Sequence, residues 1–188
     1  LYRQQAIFGR AGVELDRALL ADWVAGGAAL MAPLVEALGR HVLDAAKVHG
    51  DDTPIPVLDP GRGRTKTGRI WVYVRDDRPA GSRAPPAVWY RYSPDRKGEH
   101  PEAHLKTFNG ILQADGYAGF GPLYESGRIV EAACMAHLRR KFYDIYQHDR
   151  SPIAVEALRR IGLLYAIERE IRGQLPQARR TARQQLAG

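Results

Sequence analysis

The sequence predicts an α/β fold in which a mixed sheet is flanked by helices, with a helical segment before the sheet and a helical part after it. The hydrophobic period changes near position 47, from the threes and fours of helices to the alternation of strands. Helical spacing returns after the last strand pattern. With 188 residues, 45% of them hydrophobic, the chain is long enough for one full domain core and a small satellite domain.

The first segment, positions 1–46, is expected to be all helical. Its apolar residues recur at threes and fours from Ile7 to Val42. Gly12 interrupts the pattern, so "FGRAGVELDRALLADWV" fits a short helix, a tight turn and a second helix. A helix-turn-helix and a plain antiparallel helix pair that packs on the next domain both explain this pattern.

Positions 47–150 are expected to form the sheet. "AKVHGDDTPIPVL" is extended, because Pro54 and Pro56 exclude helix and favour an edge strand or a strand end. "GRIWVYVRD" and "AVWYRYSP" alternate as strands do, and "GILQADGYAGF" is an apolar run that ends in an acid. A short helix in "HPEAHLKTF" precedes that run, and "GRIVEAACMAHLRRKFYDIY" is a fifth strand leading into a helix. This order predicts a sandwich of ribonuclease-H type.

The aromatic residues of the second and third strands are expected to form sheet-face core and cross-strand pairs rather than base-stacking platforms. They are Trp71, Tyr73, Trp89, Tyr90 and Tyr92.

Positions 151–188 are interpreted as the start of a helical insertion. "IAVEALRRIGLLYAIEREIRGQL" is amphipathic, and the tail "PQARRTARQQLAG" is polar, basic and helix-permissive. The chain starts at Leu1, already inside a helical pattern and without an initiator methionine, so we expect a fragment.

The composition limits which classes of partner and which cellular compartment are expected. Lys and Arg outnumber Asp and Glu by 28 to 21, a net charge of +7 that suits a polyanion without proving one. The single cysteine rules out an internal disulfide. We expect no apolar run near the roughly 20 residues that span a bilayer, hence no membrane partner and a cytoplasmic protein.

Three acids stand where strands are predicted to end or turn. Asp51 and Asp52 follow His49-Gly50 in the first strand region, and Asp115 ends the fourth. Carboxylates at neighbouring strand ends meet at the ligand crevice of an α/β sheet, and a sparse cluster of them suits Mg²⁺ in phosphodiester chemistry. The alternative is that these acids only cap turns, ahead of Pro54 and in an Asp-Gly pair.

Four longer segments of the sequence resemble segments of the transposases of the insertion sequence sixty-six (IS66) family. They are "GVELDRALLADWV", "HGDDTPIPVLDPGRGRTKTGRIWVYVRDDRP", "YRYSPDRKGEHPEAHLKTFNGILQADGYAGF" and "CMAHLRRKFYDIY". The resemblance implies an Asp-Asp-Glu transposase with a ribonuclease-H-like core. It further implies two divalent ions, Mg²⁺ or Mn²⁺, that serve to cut DNA and join the 3′-hydroxyl to a target. Its partners would be transposon ends, target DNA and further copies of itself, with the protein nucleoid-associated when bound to DNA.

The resemblance also assigns site residues. The first catalytic Asp and metal ligand falls on Asp51, and Asp52 stands where the family usually has Glu, as a neighbour that supports the site. The second falls on Asp115. The third acid belongs to an Asn-Asn-x-x-Glu-Arg word that does not occur before Gly188. Glu168 is the best acid within the chain, but its neighbours do not match that word.

Cys134 and His137 form a Cys-x-x-His pair after the second Asp. Structural zinc needs about four ligands, which one cysteine and unrelated histidines do not supply. We expect a thiol buried in the fifth strand and an imidazole hydrogen-bonded near the catalytic acids. A packed Cys with an exposed helix His is the alternative.

Two basic groups are candidates for contact with a DNA backbone. One lies in the glycine-rich loop "DPGRGRTKTGR", and the other on the helix after His137. The loop is not a nucleotide-binding P-loop, because the Gly-Lys-Ser or Gly-Lys-Thr ending is missing. A solvated hairpin is the alternative. The residues are Arg62, Arg64, Lys66 and Arg69, then Arg139, Arg140 and Lys141.

Three functions stay open on the sequence alone. The first is a transposase that cleaves DNA and transfers 3′ ends. Because the third acid is missing, the second is an inactive remnant that only binds DNA or partners. The third is a ribonuclease-H-like nuclease that cuts without joining.

Overall fold

A computed structural model describes residues 1–187. Its elements follow in the order α1 (Tyr2–Arg10), α2 (Arg17–Leu43), β1 (Lys47–Leu58), β2 (Thr65–Arg75), β3 (Ala87–Ser93), α3 (Glu99–His104), β4 (Gly110–Ala114), α4 (Gly121–Glu125), β5 (Ile129–Ala133), α5 (Met135–Asp149), α6 (Pro152–Glu170) and α7 (Pro176–Leu186). Short 3₁₀ turns lie at Arg78–Ala80 and Ala118–Phe120. The chain divides into two compact units, Leu1–Arg40 and a larger one that begins at His41.

The five strands form one mixed sheet in the order β3-β2-β1-β4-β5. β1 pairs antiparallel with β2, and β2 pairs antiparallel with β3. β4 lies parallel between β1 and β5. The predicted α/β class with a mixed sheet is therefore confirmed, as are a helix between β3 and β4 and a strand leading into α5.

The prolines of β1 lie where this central strand is locally an edge. β4 pairs with β1 only from Lys47 to His49, whereas the pairing with β2 continues to Leu58. Pro54 and Pro56 therefore lie in the part of β1 that pairs only with β2. On the other side of the strand no hydrogen bond is required, so the missing N–H of proline is tolerated there. The strand also runs on past Asp51 and Asp52, so both acids lie within β1, in the strand region predicted for them.

The core of the larger unit lies on one face of the sheet. Trp71, Tyr73 and Trp89 are buried there beside residues of β1, β4, α3 and α4. The Trp71 indole N–H donates to the buried Ser93 hydroxyl at 2.7 Å. Without this hydrogen bond the buried indole nitrogen would have no partner.

The tyrosines of β3 lie on the opposite face. Tyr90 and Tyr92 pair with Val72 and Ile70 of β2, and they are 61% and 50% exposed. They form cross-strand pairs, as expected, but their placement in the core was wrong. The alternation of strand side chains that buries Trp89 turns both tyrosines outward.

Helix α2 is longer and more apolar than the sequence interpretation allowed. It runs through Gly26, Gly27 and Pro33, and by length and composition it could cross a membrane. The expectation that no apolar run approaches that length was therefore wrong. A single such helix is weak evidence for a membrane protein, because core helices and signal sequences have the same length and composition.

Candidate active site

Three residues predicted to form the site lie just past the last pairs of the parallel strands, in one row when the register of those strands is continued. The β1–β4 pairs end at His49↔Gln113, and the same offset continued two residues past this last pair relates Asp51 to Asp115. The β4–β5 pairs end at Ala114↔Ala133, and one further step sets Asp115 opposite Cys134. Paired strands lie about 4.8 Å apart, so the ends of these ladders bring residues that are distant in sequence into one region of the sheet.

Asp51 lies on the open side of β1. It pairs with Val72, whereas Asp52 pairs with the buried Trp71, so the two acids project to opposite faces of the sheet. The Asp51 side chain is 50% exposed, and its Oδ2 lies 3.7 Å from Nε2 of His137. Its Oδ1 accepts the N–H of Asp52 at 2.8 Å, which leaves Oδ2 accessible to a further partner.

Asp52 is buried and fully engaged. Its side chain is 2% exposed, and Arg69 Nη1 donates to Oδ2 at 3.0 Å. Arg96 donates to Oδ1 from both Nε, at 2.9 Å, and Nη2, at 2.7 Å. Three hydrogen bonds from two guanidinium groups take most of the about four acceptor positions of this carboxylate, so Asp52 is poorly suited to bind a metal.

Asp115 lies one residue beyond β4 and is bound on both oxygens. Its Oδ1 accepts the N–H of Tyr117 at 3.2 Å, and its Oδ2 accepts Arg96 Nη2 at 3.4 Å. Partial burial works against the Arg96 charge, but the bonds to Asp52 outweigh it and hold the Arg96 pKa above its ordinary value. Arg96 therefore links the buried acid of β1 to the acid of β4.

Cys134 and His137 lie at the start of α5. Cys134 is half-buried at the N-cap, one residue past β5, so the prediction of a thiol buried in the strand was wrong. Its N–H donates to the Ala114 carbonyl at 2.9 Å and thereby extends the β4–β5 ladder by one bond. His137 follows in the first helical turn, beside Asp51, and its Nδ1 is buried without a hydrogen-bond partner among the described residues.

Glu168 is held in a different contact. It lies on α6, and its two oxygens accept Arg183 of α7 at 2.5 and 2.8 Å and Arg179 at 3.3 Å. These bonds, chiefly the one from Arg183, hold the Glu168 pKa below its ordinary value. The contact favours a structural role for Glu168, which joins α6 to α7.

The first basic group divides between the β1–β2 hairpin and the strand that follows it. Arg62 is exposed and lies 3.5 Å from Asp59, and Arg64 is exposed in the same turn. Lys66 and Arg69 lie in β2 and not in the loop as expected. Arg69 is bound to Asp52, so it is the least free of the four.

The second basic group stands on the exposed side of α5. Arg139, Arg140 and Lys141 are all exposed, and the Arg139 guanidinium lies 5.8 Å from the centre of the Tyr143 ring. Since His137 precedes them on the same helix, these cations lie within about two turns of the candidate site.

Asp51 and Asp115 present the oxygen donors that Mg²⁺ or Mn²⁺ prefers, on side chains that are 50% and 24% exposed. Their donor set fits a divalent ion that takes its remaining ligands from water, substrate or further protein groups. Among residues 1–187, Asp95, Glu99 and His100 also bring three ligand atoms within 4.8 Å of one another. The Lys97 ammonium lies 3.6 Å from Asp95 and 4.0 Å from Glu99, so a cation already balances that surface group.

Sequence reasoning missed the two arginines that organise the site. Arg69 is predicted to contact DNA, and Arg96 in "SPDRKGEHP" belongs to no predicted group. The signal was a buried acid: an Asp on the core face of a strand requires a cation partner. Finding that partner requires the sheet register, which the linear sequence does not display.

Comparison with known proteins gives the family. The chain matches the model described as "Transposase IS66 family" over residues 1–188, and it belongs to the IS66 family of transposases. It is similar to three proteins of Sinorhizobium fredii (strain NBRC 101917 / NGR234), the uncharacterized proteins y4hP, y4jD and y4qI, with 43%, 42% and 38% identity over 201, 190 and 192 residues. Each match covers 98% of this chain and 36–37% of the relative. The chain thus spans a little over a third of the length of the curated relatives it matches.

Proposed function

We propose that this chain forms most of the catalytic core of an Asp-Asp-Glu transposase, which cleaves DNA strands and transfers 3′ ends with the help of divalent ions. The observation that carries the proposal is that Asp51 and Asp115 each lie two residues beyond His49↔Gln113, the last pair between the parallel strands β1 and β4. Family membership supports the transposase class. We take 1–46 as a helical segment, 47–150 as the catalytic core and 151–188 as the start of a helical insertion.

The strand order supports a ribonuclease-H-like core. An antiparallel β3-β2-β1 meander continues into parallel β4 and β5, with helices between and after the parallel strands. Parallel strands of an α/β sheet bring their carboxyl ends to one crevice, where ligands bind. Asp115 and the start of α5 lie at that end.

The residues of the proposed site have different roles. Asp51 and Asp115 would hold the divalent ions, which supply activation of the attacking water or 3′-hydroxyl and neutralise the leaving oxygen. His137 stands 3.7 Å from Asp51 and limits the orientations of that carboxylate. The unpaired N–H groups in the first turn of α5 favour a nearby phosphate.

The third acid is expected outside this chain. Glu168 is bound to two arginines, and the word Asn-Asn-x-x-Glu-Arg does not occur in the sequence. The relatives are almost three times as long as the matched region, so a site completed by other parts of the full-length protein is compatible with their size. DNA ends, target DNA and a second copy of the protein are its proposed partners, in the bacterial cytoplasm.

The test uses the full-length protein with DNA that carries the transposon ends. We expect Asp51→Asn and Asp115→Asn to lower cleavage by at least about 10³-fold, because each removes a charged metal ligand while leaving shape unchanged. End-binding measured by fluorescence anisotropy should stay within about threefold. Glu125→Gln, an acid on α4 outside the site, is the matched control.

Retained cleavage by either Asn variant would remove the assignment. A pre-cut 3′ end separates the remaining alternatives: strand transfer supports the transposase, and cutting without joining supports a nuclease. Absence of both reactions in the full-length wild-type protein would favour the inert remnant.

A further inference from the structure

We propose that Arg96 is a positioning residue: anchored on the buried Asp52, it holds the carboxylate of Asp115 in the orientation that binds a divalent ion. The inference rests on the proposed function, and it concerns a side chain between β3 and α3 that touches both acids.

The anchor is the buried carboxylate of Asp52. Arg96 binds its Oδ1 through both Nε and Nη2, and two donors on one acceptor fix the plane of the guanidinium. Arg69 binds the other oxygen, so Asp52 cannot turn away from Arg96 without losing a bond. Because the Asp52 side chain is only 2% exposed, loss of Arg96 would leave part of its negative charge unpaired away from water.

Tyr117 supports the same arginine from the other side. The Arg96 guanidinium lies 4.2 Å from the centre of the Tyr117 ring, and the Tyr117 hydroxyl donates to the Arg96 carbonyl. The N–H of Tyr117 also donates to Asp115 Oδ1. Arg96, Tyr117 and Asp115 therefore form a closed loop in which each residue touches the other two.

The loop orients the carboxylate without occupying all of its acceptor positions. Each Asp115 oxygen receives one donor, at 3.2 and 3.4 Å, whereas a carboxylate offers about four acceptor positions. The remaining positions are free for a cation. Groups that orient a metal ligand in this way typically change metal affinity about 10- to 100-fold when they are removed.

The charges of the network balance. Asp52 and Asp115 carry two negative charges, and Arg69 and Arg96 carry two positive ones. Asp51, on the opposite face from Asp52, keeps its charge available for an ion. Lysine cannot replace Arg96 in this network, because an ammonium group has neither the planar fork nor the flat surface that stacks on Tyr117.

The experiment measures Mn²⁺ binding to the full-length protein, by the electron paramagnetic resonance signal of free Mn²⁺, together with DNA cleavage. We expect Arg96→Lys to raise the Mn²⁺ Kd about tenfold, equivalent to ~1.4 kcal/mol. The kcat for cleavage should fall at least about tenfold while the KM for DNA stays within about twofold. Arg75→Lys is the matched control, since Arg75 is a half-buried β2 arginine bound to the His41 carbonyl.

A second variant keeps the inference testable if Arg96→Lys does not fold. Tyr117→Leu removes the ring and the hydroxyl but keeps the N–H, and it should raise the Mn²⁺ Kd by about threefold or more. In Arg96→Ala, added guanidinium ion should recover part of the missing Mn²⁺ affinity, a response that a merely structural arginine would not give.

Unchanged Mn²⁺ affinity in Arg96→Lys, or in Tyr117→Leu if the first variant is unfolded, would overturn the inference. Asp115→Asn distinguishes a failure of the proposed role of Arg96 from a failure of the proposed function. If Asp115→Asn is inactive and binds Mn²⁺ weakly while Arg96→Lys behaves as wild type, only the role of Arg96 fails. If Asp115→Asn itself behaves as wild type, the proposed function fails.

Discussion

His104 is expected to make the stability of the larger unit depend on pH. The ring lies edge-on to Trp71 and Trp89, and its Nδ1 is hydrogen-bonded to the Tyr73 hydroxyl at 3.0 Å. Burial, with smaller effects from Arg91 and His100, lowers the His104 pKa from 6.5 to about 4. The folded protein therefore keeps this ring neutral at pH values where the unfolded chain is protonated.

The lowered pKa of His104 makes the folded protein less stable at acidic pH. Because the folded pKa is the lower one, the unfolded state gains a proton first, and stability falls as the pH drops from about 6.5 towards about 4. The ring is partly exposed, so we expect a loss on the order of 1–2 kcal/mol and not the full value of the pKa difference. His104→Gln keeps an acceptor for Tyr73 and should lose less stability over this range in thermal melts. Equal losses in wild type and variant would contradict the assignment.

At this scale the sequence identified the acids better than their partners. The family resemblance chose Asp51 over Asp52, and the sheet gives a physical reason that supports the choice, because only Asp51 is free of arginine. The roles of Arg69 and Arg96 depend on a cross-strand pairing and on a loop that folds back to β1. No periodicity in the sequence encodes either.

Among the elements, the start of β4 is the tightest point of the sheet. A Cβ on Gly110 would lie 2.5 Å from the Ala46 carbonyl oxygen and 3.2 Å from the Phe108 ring, and its φ of +152° is rare for other residues. The Ile111 N–H also donates to that carbonyl, so the backbone cannot easily retreat. This contact controls how closely β4 approaches β1.

We therefore expect Gly110→Ala to destabilise the larger unit by about 2 kcal/mol or more, through strain and a clash with the backbone. Gly162→Ala is the matched control: it lies in α6 with nothing within 4 Å of its Cβ, and it should stabilise by about 0.5–1 kcal/mol. Urea denaturation of the full-length variants measures both. A Gly110→Ala protein as stable as wild type would show that β4 can shift.

The elements were largely predictable, whereas their limits and their pairing were not. Alternation in "GRIWVYVRD" and "AVWYRYSP" identified β2 and β3 because one face of each strand is buried. α2 runs without a break from Arg17 to Leu43 through Gly26, Gly27 and Pro33. Helix propensity is a weak bias, so two glycines and one proline do not by themselves interrupt a helix of 27 residues.

For this chain taken whole, the net charge of +7 supports the proposed DNA binding, which should weaken with salt. Replacing Arg139, Arg140 and Lys141 by Ala should lower the slope of log K against log salt by about 0.9 for each phosphate that the variant no longer neutralises, up to about 3. The measurement is anisotropy of labelled end DNA between about 50 and 300 mM KCl, with the full-length protein.

The control for this prediction lies one helix further along. Arg159 and Arg160 both bind Glu156, so Arg159→Ala with Arg160→Ala removes two cations that are already paired. That variant should change the slope by less than about 1. Equal slopes in the α5 variant and the wild type would exclude α5 from the DNA interface.

The row of Asp51, Asp115 and Cys134 has a consequence for how this protein can vary between relatives. The spacing of the two acids is determined by hydrogen bonds between strands, not by the length of the chain that joins them. The hairpin at positions 59–64 and the connection at positions 76–86 can therefore become longer or shorter while the acid pair stays where it is. A single residue inserted within β4 would do the opposite, turning Asp115 to the other side of the sheet while the fold around it remained.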